Sequence, residues 1–264
     1  MRIGNREFTG RTHIMGILNV TDDSFSDGGK YNSVDTAVRQ AERMICEGAD
    51  VIDIGGESTR PGYTMISDSE EIERVAPVIE KIKNNFDIPV SVDTYKSEVC
   101  RAAAMAGADM INDIWGFKYD GKMAKTAAEF HMSACLMHNR KEAVYSDFVN
   151  DVIDDLTESV NIAKNAGITE IMTDPGVGFA KSYEQNIEII RHIDKLHKIG
   201  CPVLLGASKK SVIGITLGAD INSRLEGTIA TSVWAAMNNC LFVRVHDVKE
   251  NKRAIMMAER IMGK

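Results

Sequence analysis

The segments EGADVIDIG (47–55) and AGADMINDI (106–114) are near copies of one another. Each places a glycine where a left-handed cap stops a helix, then runs into a short, β-favouring apolar stretch that ends in polar or small residues. The unit is therefore helix end, turn, strand. The same rhythm repeats along the chain, with Gly167 and Gly200 in the same pre-strand place as Gly48 and Gly107. Strands are predicted at 13–19, 51–55, 89–93, 109–113, 134–138, 170–174, 202–206 and 242–246, with helices such as 34–47, 69–85 and 147–165 between them. Alternating strands and amphipathic helices predict a parallel sheet of βα units, eight of them.

The strand ends carry the stronger regularity. Asn19, Asp53, Asp93, Asn112, His138, Asp174 and His246 stand at or beside predicted C-terminal strand ends, and the N-terminal ends show no matching polar series. From Asn19 to His246 the spacing averages about 32 residues per step, the length of one βα unit. Polar groups converging on one rim of eight units predict a (β/α)8 TIM barrel, one domain over 1–264, with its site at the C-terminal face. A doubly wound open sheet is the alternative, but no GxGxxG follows the first strand.

With 44% hydrophobic and 26% charged residues the chain is rich enough to build one large core, and its net charge of -7 offers no broad basic face. Nucleic acid is excluded as a partner on that ground, whereas a small anion is not. The five cysteines are far apart and lack zinc spacing, which predicts reduced thiols in a cytoplasmic protein. Arg2, Arg6 and Arg11 interrupt the start, and no apolar run approaches membrane-spanning length, so a soluble, unanchored chain is expected.

Taken singly, an aspartate or asparagine after a strand is a common turn former or helix cap. Together, Asp93, Asn112 and Asp174 at one mouth would need donors, and a ring with an amino group beside an N–H would supply them in pairs. Arg60, in GGESTRPG (55–62), and Lys210 with Ser211, in GASKKSVIG (206–214), suit an anion, with a solvated charge pair as the alternative reading of Lys209 and Lys210. Arg244 and His246 are two residues apart and share a strand face.

The motifs MGILNVTDDSFSDGG (15–29), GADVIDIGGESTRPG (48–62), VSVDTYK (90–96), INDIWG (111–116), LMH (136–138), DPGVGFAKS (174–182), GASKKSVIG and RVHDV (244–248) occur in order over nearly the whole length. In that order they resemble the dihydropteroate synthase family, which joins hydroxymethyl-dihydropterin diphosphate to p-aminobenzoate. The resemblance implies that Asp93, Asn112, Met137, Asp174, Lys210 and Arg244 hold the pterin. It implies that Asn19, Arg244 and His246 meet the diphosphate, with Asn19 on its Mg2+, and that Phe25, Thr59, Arg60, Pro61, Phe179, Lys210 and Ser211 surround the aminobenzoate. Catalysis would rest on Asn19, Asp93, Lys210, Arg244 and His246. A homodimer through C-terminal helices and a role as a sulfonamide target are implied as well.

Two departures stand out: Asp22 replaces the family's usual proline and Lys209 its usual arginine. The first frees φ and adds a negative charge near an anion; the second keeps the charge but loses the fork. The opening loop, LNVTDDSFSDGG (18–29), then reads as a lid in which Gly28 and Gly29 hinge, Phe25 covers the aminobenzoate and Asp27 reaches Arg60 or Lys210. A calcium loop starting at Asp23 fails because Phe25 and Val34 occupy ligand positions. Two rivals share the barrel. A pterin-dependent methyl-transfer module would not need the STRPG and SKKS anion loops, and a non-catalytic pterin-binding paralogue would tolerate Asp22 and Lys209.

Overall fold

The fold is that of a computed structural model describing residues 1–21, 30–57 and 65–264, with the backbone alone for 30–33. An antiparallel hairpin, β1 (Arg2–Ile3) and β2 (Arg6–Glu7), precedes the alternating units. These run β3 (His13–Asn19), α1 (Lys30–Glu47), β4 (Val51–Gly55), α2 (Asp68–Asn85), β5 (Val90–Asp93), α3 (Ser97–Met105), β6 (Met110–Asp113) and α4 (Met123–Glu129). They continue with β7 (Ser133–Met137), α5 (Phe148–Asn165), β8 (Ile171–Asp174), α6 (Tyr183–Arg191), β9 (Leu204–Leu205), α7 (Ser211–Leu217), α8 (Leu225–Met237), β10 (Phe242–Val245) and α9 (Val248–Ile261).

Strands β3 to β10 pair in parallel in the order β8, β7, β6, β5, β4, β3, β10, β9. A bridge between Thr173 and Val203 joins the two edges, and the Thr173 N–H donates to Pro202 O at 2.9 Å. The sheet is thus a nearly closed barrel, as the strand spacing predicts. The seventh predicted strand, 202–206, shrinks to Leu204–Leu205. Pro202 has no N–H to add to a ladder, which accounts for the short pairing at this seam.

The near-copy GAD segments do more than end helices. Gly48 and Gly107 take φ of 101° and 105°, a conformation that costs a side chain and not a glycine. The aspartates that follow are a correction to the expectation that N-terminal strand ends carry no polar series. Asp50 Oδ2 accepts the Ile14 N–H of the neighbouring strand at 2.8 Å, and Asp109 Oδ2 accepts that of Val90 at 2.9 Å. Burial alone would raise Asp50, but His13, the Ile14 N–H and Lys252 hold its carboxyl well below the ordinary range. These side chains staple adjacent strands at the closed end of the barrel.

Alternation along each strand sends one set of side chains outward to the helices and the other into the barrel. Met15, Val51, Met110, Cys135, Met172, Leu204 and Phe242 fill the lower interior, and Ile3 and Phe8 close it from below. Phe8 meets Phe242 edge-on, ring centroids 5.1 Å apart. The hairpin therefore plugs the end opposite the polar rim. Phe8→Ala should lower unfolding free energy by about 3 to 4 kcal/mol, the usual cost of removing a buried phenylalanine, as urea titration would read. Substrate affinities at the far end should not change.

Candidate functional site

The inward register that packs Val51 and Phe242 below also raises Asp53 and Arg244 one layer higher, in company with Asp93 and Asn112. Arg244 Nε donates to Asp53 Oδ2 at 2.5 Å and its Nη2 donates to Asp93 Oδ2. Asn112 Nδ2 donates to the same Asp53 oxygen at 3.1 Å. Asp53 is wholly buried, and Asp93 nearly so. One guanidinium thus stands between two carboxylates, and the second oxygens, Asp53 Oδ1 and Asp93 Oδ1, are buried with no hydrogen-bond partner among the described residues. Such acceptors are costly unless a ligand donates to them.

Burial pushes Asp93 up to about 7, against the pull of Arg244, with Asp53 and Glu71 adding to the rise. Asp174, across the barrel, is raised by burial too, although Lys210 and the Gly176 N–H oppose it. That N–H donates to Asp174 Oδ1 at 2.7 Å, leaving Oδ2 toward Gly206, where a Cβ would lie only 3.1 Å away. Lys210, pushed down to about 8 by burial, donates to Val177 O and lies 4.9 Å from the Phe179 ring centroid. The lysine pair therefore divides: Lys210 turns into the site, as expected, and Lys209, at φ 57°, pairs with Asp247 at 3.1 Å.

These groups surround a cavity of about 500 Å³ at the C-terminal mouth. Its walls bring together Asn19, Asp93, Asn112, Met137, Asp174, Phe179, Lys210, Ser211, Arg244 and His246, every predicted site residue within the described segments. Phe25, Thr59, Arg60 and Pro61, with the lid residues Asp22, Asp23, Asp27, Gly28 and Gly29, lie outside the described residues. Ile114 and Met137 form an apolar wall beside Tyr95, Trp115 and Phe179. His246 Nδ1 meets Ser208 Oγ at 2.9 Å, which fixes the imidazole at the mouth.

Three features differ from the sequence reading. His138 stands at a strand end but belongs to the outward register. Its Nε2 lies 3.0 Å from Asp155 on α5, and it does not reach the mouth. Asp53, counted in the strand-end series without a role, is the anchor of Arg244. Glu57 also lines the cavity, held by Lys96 at 2.6 Å and by the Tyr95 hydroxyl at 2.7 Å. Its place in GGES, just past a strand, was the available signal. Asp53→Asn removes the charge that faces Arg244 and should cost about 3 kcal/mol of stability in urea unfolding at neutral pH, since it breaks a buried pair.

A family model described as pterin binding enzyme matches residues 15–246. The dihydropteroate synthase of Clostridium beijerinckii is 54% identical, covering 99% of each chain, and that of Bacillus subtilis is 50% identical over 96% of this chain and 90% of its own. Among solved structures, a dihydropteroate synthase from Clostridium difficile determined in the presence of pteroic acid superposes with a TM-score of 0.95 at 46% identity, covering 98% of this chain and 100% of its own. The Xanthomonas albilineans enzyme in complex with 7,8-dihydropteroate gives 0.88 at 39% identity, covering 96% and 95%. A barrel whose mouth gathers buried carboxylates, an asparagine and a lysine, and whose sequence matches these relatives from end to end, belongs to the pterin binding enzyme family, among the dihydropteroate synthases.

Proposed function

We infer that the site condenses 6-hydroxymethyl-7,8-dihydropterin diphosphate with p-aminobenzoate, giving 7,8-dihydropteroate and diphosphate. The observation that carries this reading is the gathering of Asp93 and Asp174 with Asn112 and Lys210 around one cavity. Asp93 Oδ1 and the Asp174 Oδ2 edge can take the N–H groups of a flat heterocycle, with Asn112 and Lys210 at its remaining polar edge. Arg244 would lie over the ring face, where a guanidinium and a π system attract.

The chemistry this arrangement suits is departure of diphosphate followed by attack of the arylamine on the pterin methylene. No nucleophile is required of the protein. As the leaving group separates, positive charge grows on the ring, and Asp93 and Asp174 stabilise it from the plane. Asp53 balances Arg244, so the guanidinium over the ring does not oppose that charge. Arg244 and His246, on one strand face, receive the anionic tail, while Phe179, Lys210 and Ser211 seat the arylamine in line with it.

A Cβ on Gly55 would lie 3.8 Å from both Asn19 Oδ1 and Asp93 Oδ2, so the missing side chain leaves room beside two hard oxygens. That donor set fits magnesium brought in on the diphosphate, with Asn19 as its protein ligand. When bound, the ion would neutralise charge gathering on the leaving group.

We further propose a homodimer. Trp234 and Met237 on α8 and Met256, Met257 and Ile261 on the adjoining α9 are exposed apolar side chains that a second copy would cover. The cysteines are all free, which supports a cytoplasmic setting, and among the described residues no helix is long and apolar enough to cross a membrane. Sulfonamides, as arylamine mimics, are proposed ligands of the aminobenzoate end.

Incubation with both substrates and magnesium should yield dihydropteroate by mass spectrometry from a preparation that sediments as a dimer. Lys210→Ala should weaken both substrates, and no product from the wild type would overturn the reading. A pH dependence follows from the two perturbed groups. Asp93, raised to about 7, must lose its proton to accept from the ring, and Lys210, lowered to about 8, must keep its proton to donate. Pterin affinity measured by calorimetry should therefore climb as pH rises through about 7 and fall above about 8. Asp93→Asn should flatten the acid limb.

A further inference from the structure

The loop after β8, DPGVGFAK (174–181), places Phe179 in the mouth, and its backbone holds itself only in part: Phe179 N–H donates to Gly176 O at 3.1 Å, while Gly178 N–H and Ala180 O turn to the side chains of Asn186 and Tyr145. Gly176, Gly178 and Ala180 take φ of 70°, 85° and 44°, and Ala180 carries a side chain into the left-handed region. The loop also presses on its neighbour: a Cβ on Gly176 would lie 2.0 Å from His138 O. Side-chain bonds must help to fix so compressed an arc.

Lys181 does so. Its ammonium donates to the carbonyls of Gly176 and Phe179, each at 3.0 Å, and faces His138 Nδ1 at 2.8 Å. Burial lowers Lys181 to about 7 against the pull of Asp174, and in its charged form it only donates, so that Nδ1 then accepts and the imidazole proton sits on Nε2, directed at Asp155 Oδ2. Asp155 in turn takes Arg140 Nε at 2.6 Å. Burial, reinforced by Lys181, holds His138 down to about 3, so this ring is neutral and free to accept at physiological pH. All three ammonium protons are thereby directed, two of them onto the carbonyls that bracket Phe179.

We propose that Lys181 is a positioning residue for the arylamine subsite: by tying Gly176 O and Phe179 O to the His138–Asp155–Arg140 relay, it sets the Phe179 ring. The inference rests on the proposed condensation for the identity of the second substrate. Asp174 is fixed by its strand pairing with Met137, so the pterin end depends far less on this tie.

Lys181→Met keeps the stem and removes the donors. Hydrogen exchange of the peptide spanning 174–182, read by mass spectrometry without ligand, should quicken by about tenfold, and the aminobenzoate KM should rise by about tenfold, the cost of losing hydrogen bonds to a charged group. The dissociation constant for the pterin diphosphate should stay within about twofold. Lys181→Arg retains charge but spreads its donors over a planar fork, and serves if the methionine variant fails to fold; it should raise the aminobenzoate KM by about threefold or more. Unchanged exchange and KM, or equal losses for both substrates, would overturn the assignment. Failure of the wild type to turn over these substrates, with exchange quickened in the variant, would instead sink the proposed reaction and leave the loop-positioning role standing.

Discussion

The structure depends on a guanidinium held between two buried carboxylates. Arg244 touches Asp53 and Asp93 at once, and those three groups come from strands 191 and 151 residues away in the chain. Desolvating such charges is expensive, and their mutual attraction in a low-dielectric interior repays it only where geometry is tight. A barrel seeking stability alone would fill the layer with apolar side chains, as it does one layer below. The charges make sense as a cradle left incomplete, with two acceptor oxygens facing no protein donor among the described residues and a lysine and carboxylates displaced from their ordinary proton affinities. A ligand rich in N–H groups completes it.

The same residue type serves opposite purposes at the two ends of the barrel. Asp50 and Asp109 lie before their strands and accept backbone N–H groups from the preceding strand, with Lys252 and Lys83 on the same oxygens. Asp93 and Asp174 lie at the strand termini, and both line the cavity. Position along a strand, and not residue identity, separates a staple from a binding group.

Much of this was legible because period-2 alternation and helix-ending glycines are written residue by residue. Seven of the predicted strands lie within one residue of their ladders at either end, and Gly48, Gly107, Gly167 and Gly200 all take positive φ. Parity along a strand, which sends Asn112 inward and Asp113 outward, is equally a local property, and neglecting it is what put His138 on the rim. The hairpin escaped notice because two-residue strands have no period to detect. Helix α1 begins at Lys30, four residues before the predicted start, in a polar stretch without an apolar stripe to mark it. Contacts made by long side chains from loops, such as Lys96 to Glu57 or Lys181 to His138, follow no spacing rule and became visible only with coordinates.

Those long-range contacts share one logic. Lys96 lies buried against Glu57 and Glu71, at 2.6 and 2.8 Å, and donates also to Ile66 O. Burial would lower this lysine, yet the two glutamates hold it above its ordinary value, so it stays charged. Glu57 and Ile66 flank residues 58–64 in the sequence, so one ammonium ties the two flanks together. Lys181 treats the loop after β8 in the same way from the other side of the mouth. A lysine suits this work because a single nitrogen can donate three bonds in three directions, gathering backbone carbonyls and carboxylates that a planar guanidinium could not reach from one point. Loops at a barrel mouth have few apolar contacts to order them. A buried ammonium that gathers the backbone carbonyls of the loop after β8 supplies that order without closing the space in which two substrates must meet.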